Sequence, residues 1–223
     1  MRARKTLRRA RLKARVLAGS KRDAGLSSRT GPVPPMPTDT ATSDLAFFTS
    51  LFRSVAADLA MILDTEVAME IKGAERHKKR ASGAGRVHIS FRFLVHHEGE
   101  DHHGSVLVPL PDAIGLAGFL MMHEAPEVDQ DRKREDLDRP LKEAMLEVGN
   151  FIAGAIDAVI RTWYPPESSC RSTGCQGVQA DIRPAFPYRE GRELVVGRAR
   201  TRVAKYPEFE AIVQLPPPPR SGG

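Results

Sequence analysis

The sequence predicts an α/β (α+β) fold, a single domain in which antiparallel hairpins pack against two to three helices. Three observations carry this prediction. A helical repeat of apolar residues extends over 138–163, alternating apolar residues precede a polar turn at 98–101, and two strand-like segments close the chain. A chain of 223 residues is long enough for one domain with tails.

The first half of this domain predicts a helix, a strand and a hairpin. Ser43 or Asp44 would cap a helix that ends near Leu63. Residues 67–71 predict a strand, and 72–85 predict a loop. The apolar residues of the helix recur at helical spacing and should face the core: Leu45, Phe48, Phe52, Val55, Leu59 and Ile62.

The hairpin has a first strand in which apolar and polar residues alternate from Val87 to Phe93. The polar turn leads to a second strand over 105–110. A short helix over 112–122 and a loop over 124–134 should follow.

The strongest helical pattern covers 138–163, with Asp138 as N-cap and Pro140 in the first turn. Trp163 and Tyr164 should close the core beneath a following loop over 165–177. Strands are expected over 193–203 and 208–215. The apolar stripe of the helix consists of Leu141, Met145, Val148, Ile152, Ile156 and Val159.

The positive charge of the chain is concentrated at its start. The net charge is +6, and residues 1–35 contain 11 basic residues and one acidic residue, against 23 basic and 27 acidic residues in the remainder. We predict a disordered basic leader over 1–42, a domain over 43–215 and a flexible tail over 216–223. Translation from Met36 and a basic arm for nucleic acid or anionic lipid are alternatives.

Several classes of protein are disfavoured by the sequence. Two cysteines cannot form a disulfide framework, and this favours a cytoplasmic protein. The most apolar stretch is interrupted by Pro109, Pro111 and Asp112, so no membrane span is predicted. The sequence lacks the P-loop, dinucleotide-binding, zinc-protease and serine-hydrolase motifs. Cys170 and Cys175 are expected to be free thiols or to form an occasional disulfide rather than a zinc site.

Four histidines bracket the hairpin turn and raise a second metal hypothesis. Imidazoles and carboxylates this close in sequence can bind Zn²⁺ or Ni²⁺, whereas a solvated hairpin tip is the alternative that we prefer. We therefore predict no metal in this chain. The residues concerned are His96, His97, His102 and His103, with Glu98, Glu100 and Asp101.

The face of the long helix opposite its apolar stripe contains the candidate functional residues. Glu147 and Asn150 are three residues apart, so their side chains should project side by side. Glycine in a helix interior lowers helix stability by about 1 kcal/mol relative to alanine. Gly154 lies on this face nevertheless, and its lack of a side chain would let another surface approach the helix backbone closely. A merely solvated face is the alternative. The face carries Glu143, Glu147, Asn150, Gly154, Asp157 and Arg161.

Residues 146–154, Leu-Glu-Val-Gly-Asn-Phe-Ile-Ala-Gly, resemble the signature helix of the chemotaxis phosphatase family of CheC, CheX and FliY. That family has Glu-x-x-Asn with a glycine four residues later, and an Asp or Ser four residues before the Glu, where this chain has Glu143. It also has a proline about twenty residues after the Asn, for which Pro165 and Pro184 are the nearest candidates. We assign Pro184, with an insertion that includes both cysteines. The order of elements over 43–215 is also similar, and the single signature is closest to the CheX pattern.

The resemblance implies a phosphatase that removes the phosphoryl group from the aspartate of a CheY-like response-regulator receiver domain. Glu147 and Asn150 would be the catalytic residues, and Glu143, Gly154 and Asp157 would bind the partner. Mg²⁺ would belong to the receiver, this chain would hold no cofactor, and a homodimer is implied. The alternatives are a non-catalytic binding module of the same fold, like the flagellar switch, and a nucleic-acid-associated protein that acts through the leader.

Overall fold

The structure is a computed structural model that describes residues 40–189 and 191–219. Most of the predicted leader, the alternative start at Met36 and the last four residues of the predicted tail lie outside the described residues. The described part begins at the first helix and ends just after the last strand.

Six antiparallel strands form one sheet in the order β1-β5-β6-β3-β2-β4. The hairpin β2–β3 is confirmed, with His97 opposite Glu100 at its tip. Strands β1 and β4 are the two edges of the sheet. The strands are β1 (Val67–His77), β2 (His88–His97), β3 (Glu100–Pro109), β4 (Ser169–Val178), β5 (Leu194–Val203) and β6 (Phe209–Leu215).

The described residues also contain four helices, and the longest matches its sequence pattern closely. Asp138 caps this helix through a hydrogen bond from the Leu141 backbone N–H to its carboxylate (3.0 Å), and Pro140 lies in the first turn. The six apolar stripe residues predicted for this helix are all buried. The helices are α1 (Thr40–Leu63), α2 (Leu110–Leu120), α3 (Ala125–Asp131) and α4 (Arg139–Trp163).

The main core lies between the sheet and the helices α1, α2 and α4. Phe47 of α1 packs edge-on against Trp163 (ring centroids 5.7 Å apart), and Tyr164 is buried beside it, as the sequence predicted. The other face of the sheet carries a smaller apolar cluster of Leu107, Val196 and Ile212. Gln214 on that face accepts a hydrogen bond from the Ala81 backbone N–H (2.9 Å), which holds the β1–β2 connection against the sheet.

Three predicted loops contain regular structure instead. The strand β1 continues to His77, because the whole segment pairs with β5. The predicted loop over 124–134 contains α3, which a capping box starts at Glu124. The predicted loop over 165–177 is largely β4, which pairs with β2 along its length. Its two glycines have low strand propensity, and pairing with β2 outweighs that preference.

The start of α1 also differs from the prediction. The helix begins at Thr40, so Asp44 lies inside it and is buried, with only 2% of its surface exposed. Its carboxylate accepts hydrogen bonds from Nε (2.7 Å) and Nη2 (2.9 Å) of Arg76 on β1. Leu45, predicted to face the core, is 43% exposed. Asp44 therefore ties the helix to the sheet rather than capping it.

By length and composition, α1 is apolar enough to cross a membrane, and it is the one such helix among residues 40–189 and 191–219. In the fold, its apolar side chains, including Phe48, Phe52 and Val55, pack into the main core.

We expect Asp44→Ala to lower the free energy of unfolding by about 3 kcal/mol, because it leaves the Arg76 guanidinium without its bidentate partner in a mostly buried setting. Glu143→Ala is the control. It removes an ion pair of the same 2.7 Å length to Arg139 on the surface, and should cost less than about 1 kcal/mol. Urea unfolding of both variants measures the difference, and equal costs would contradict the structural role of Asp44.

Candidate functional site

The long helix α4 lies against the sheet through its buried stripe, and this packing decides which face remains exposed. Gly149 packs against β2. A Cβ atom at this position would lie 3.1 Å from Phe91 Cδ1, which is tighter than ordinary van der Waals contact, so the Phe91 ring or the helix would have to shift for a larger residue. The exposed face of α4 then looks away from the core, with β4 on one side and α1 on the other.

Glu147 and Asn150 lie side by side on this exposed face, as their spacing predicts. The Asn150 amide Nδ2 donates a hydrogen bond to Glu147 Oε2 (3.0 Å), and both residues are exposed. The bond orients the Asn150 side chain so that its amide oxygen points away from Glu147. That oxygen can accept a hydrogen bond from water.

The acidic residues of this face differ in how their charge is compensated. Glu143 accepts from Arg139 Nε (2.7 Å), and Asp157 accepts from Arg161 Nε (2.8 Å), both at the i, i+4 spacing. Within the part of the chain that the structure describes, Glu147 has no ion pair, and its one hydrogen bond comes from a neutral amide. Glu147 is therefore the carboxylate of this face that remains available to a cation from outside.

Asp157, predicted from the resemblance to bind the partner, has an internal role as well. Its side chain is 23% exposed, and Oδ1 accepts a hydrogen bond from the backbone N–H of Cys170 (2.7 Å). Cys170 is at the start of β4, so this bond fastens the edge strand to the helix. The contact could not be seen in the sequence, because 165–177 lacks a strand pattern.

Gly154 has open space where a side chain would be. A Cβ atom at this position would find nothing within 4 Å, in contrast to Gly149, where a Cβ atom would lie 3.1 Å from the Phe91 ring. The packing of this chain therefore gives no reason for a glycine at 154. No side chain covers the helix backbone at Gly154, which lies one turn beyond Asn150.

Pro184 and the histidines lie away from this face. The Pro184 carbonyl accepts a hydrogen bond from Arg80 Nη1 (2.8 Å), in the connection between β4 and β5. At the hairpin tip, the rings of His97 and His102 stack 4.3 Å apart, and burial lowers the pKa of both. The described residues contain no group of three or more His, Cys, Asp or Glu side chains that could hold a metal ion.

Both cysteines are free thiols in this structure. Cys170 is buried and Cys175 is partly buried, and burial raises the pKa of each thiol. A thiol that resists ionisation is a poor metal ligand and a poor nucleophile.

We expect Asp157→Ala to lower the free energy of unfolding by about 1–3 kcal/mol, because the Cys170 N–H loses its acceptor. Asp157→Asn retains an oxygen acceptor and should cost less. Urea unfolding of the two variants tests this. A stable Asp157→Ala protein would contradict the anchoring role and leave Asp157 as a surface residue alone.

Comparisons with known proteins find solved structures of similar fold but no protein of similar sequence. No family model matches the chain, and no curated protein matches it. Among solved structures, FliY of Thermotoga maritima superposes with a TM-score of 0.61 at 15% identity, over 77% of this chain and 86% of that one.

Two further structures are similar in fold. The FliM middle domain of H. pylori has a TM-score of 0.56 at 6% identity, over 77% of this chain and 88% of that one. A CheX protein of Desulfovibrio desulfuricans has a TM-score of 0.50 at 13% identity, over 76% of this chain and 99% of that one. The chain therefore has the fold of the CheC, CheX and FliY family that its signature helix resembles, a fold that the FliM middle domain shares.

Proposed function

We propose that this protein is a phosphatase that hydrolyses the aspartyl phosphate of a CheY-like receiver domain, with Glu147 and Asn150 as its catalytic residues. The observation that supports this most directly is the exposed Glu147–Asn150 pair on α4, in which Asn150 Nδ2 lies 3.0 Å from Glu147 Oε2. The fold that carries this helix is similar to that of a CheX protein. In this reaction a water molecule attacks the phosphorus atom, the bond between phosphorus and the aspartate oxygen breaks, and phosphate and the receiver's free aspartate are released.

Asn150 would position the attacking water. A neutral amide cannot act as a general base, but its oxygen can accept a hydrogen bond from water and aim it in line with the phosphoryl group. The receiver would supply Mg²⁺ to neutralise phosphoryl charge. The chain therefore needs no nucleophile, metal or phosphate-binding loop of its own for this reaction.

Glu147 would fix the docking position. Its carboxylate has no ion pair in the described residues, and a charge-assisted hydrogen bond to the receiver's lysine would set the register of the complex. Glu143 lies one turn before it and would reach the receiver from the same face, since its pair with Arg139 is exposed and weak.

The alternative function is a binding module without catalysis. FliM middle domains share the fold, and one of them is solved in complex with FliG. For this chain, partner proteins of a chemotaxis or flagellar system suit both functions. The exposed amide of Asn150 favours the phosphatase, because a surface used only for binding has no need of a group that orients water. The homodimer that the resemblance implies is compatible with either function.

Asn150→Ala should abolish the acceleration of receiver dephosphorylation, with a loss of at least about 100-fold, because the water is no longer positioned. The measurement is the decay of a phosphorylated receiver domain from the same genome in the presence of Mg²⁺. The Asn150→Ala protein should unfold at the wild-type urea concentration.

The matched control is Lys142→Ala, an exposed residue of the same helix, which should leave the rate unchanged. Dephosphorylation at the wild-type rate by Asn150→Ala would end the assignment of Asn150.

Gly154→Ala should make the protein more stable and less active. Alanine adds up to about 1 kcal/mol of helix stability at this position, since its Cβ meets nothing within 4 Å in this chain. The same methyl group would obstruct the close approach of a receiver, so activity should fall several-fold. Urea unfolding and the decay assay give the two readouts. A variant that is more stable and fully active would remove Gly154 from the docking surface.

A further inference from the structure

Four large apolar side chains are exposed in the part of the chain that the structure describes, and two of them lie beside the candidate site. Leu146 is 43% exposed and Met61 is 56% exposed, while the other two are Leu45 and Ile182. Exposed single apolar residues need no explanation in general, but a pair that flanks a functional face does.

Leu146 borders the face on the side of β4. It directly precedes Glu147 and lies one helical turn before Asn150. Its Cδ2 atom is 3.8 Å from the point that a Cβ on Gly174 would occupy, which places the side chain against the edge strand. The polar pair therefore has an apolar neighbour on this side.

The packing of α1 against α4 and the geometry of the α-helix together place Met61 beside the face, on the side of α1. The Ser54 hydroxyl donates a hydrogen bond to the Ala155 carbonyl (3.3 Å), and Phe47 contacts Trp163, so α1 runs antiparallel to α4. Met61 is seven residues beyond Ser54, on the same face of α1 and about 10 Å further along. This places it level with the stretch of α4 that holds Glu147 and Asn150.

We propose that Leu146 and Met61 are two apolar docking anchors that seat the phosphorylated receiver domain on either side of Glu147 and Asn150. The partner surface that fits is a single cationic side chain surrounded by apolar residues. The charge of Glu147 selects this surface, because among the described residues the carboxylate between the anchors has no ion pair. This inference rests on the proposed function and names the contacts by which that site holds its substrate.

The anchors would also strengthen the polar contacts between them. Apolar surfaces that close on both sides of Glu147 exclude water, and a charge-assisted hydrogen bond is stronger in such surroundings. Interface energy is usually concentrated in a few central side chains, and the contacts that surround them protect them by excluding water. The loss of an anchor should therefore weaken binding rather than the chemical step.

The test uses the full chain with the variants Leu146→Ser, Met61→Ser and the double variant, and a receiver domain phosphorylated with a small acyl phosphate in Mg²⁺. Each single variant should raise KM about tenfold, and the double variant should raise it further, with the loss appearing in kcat/KM rather than kcat. The control is Leu45→Ser. Leu45 is as exposed as Leu146 but lies on α1 about 24 Å before Met61, so KM should not change.

A second measurement separates this inference from the proposed function. Binding of the same receiver, with beryllofluoride on its aspartate as a non-hydrolysable mimic of the phosphoryl group, is measured with the wild-type protein and the anchor variants. Binding that depends on both anchors, together with no acceleration of phosphate loss from the phosphorylated receiver, would sustain the docking surface and overturn the phosphatase. Hydrolysis with an unchanged KM in the double variant would overturn the docking surface alone. Failure of the wild-type protein both to bind and to hydrolyse any receiver would overturn both.

Discussion

The close packing of α4 on the sheet determines what the candidate site can be. At Gly149 the helix approaches Phe91 so closely that a Cβ atom would lie 3.1 Å from the ring. This contact and the buried stripe fix the rotation of the helix, and the rotation places Glu147 and Asn150 on the exposed face. The hydrogen bond from the Cys170 backbone N–H, at the start of β4, to the Asp157 carboxylate then sets the border of that face.

The residues of this face divide into those engaged within the chain and those left available. Asp157 is engaged with Cys170 and Arg161, and Glu143 is engaged with Arg139. Glu147 and Asn150 are engaged mainly with each other. In the proposed phosphatase, Asn150 orients water, Glu147 meets a cation of the partner, and the partner brings the metal and the reacting group. The fold itself is shared with FliY, CheX and the FliM middle domain alike.

The sequence predicts the elements whose pattern is strong, and it fails where tertiary pairing overrides propensity. The helix over 138–163 has a continuous apolar stripe and a capping aspartate, and both are confirmed. The strand β4 has no such pattern, because Ser, Gly and Cys form it only through pairing with β2. Asp44 was predicted as a cap because capping is local, whereas its bond to Arg76 joins residues 32 positions apart. The Glu147–Asn150 contact is local, because the two residues are three positions apart, and it is therefore predictable from the sequence. The position of Met61 relative to this pair depends on how α1 packs against α4, which the sequence does not reveal.

The proposed phosphatase must accelerate the loss of phosphate from a receiver domain. The decay rate of a phosphorylated receiver, measured as a function of the concentration of the wild-type chain for each receiver of the same genome, tests this. For at least one receiver the rate should rise with concentration and then saturate, as expected when a complex forms before hydrolysis. A decay rate that stays at its spontaneous value for every receiver, at all concentrations, would show that the chain is not such a phosphatase.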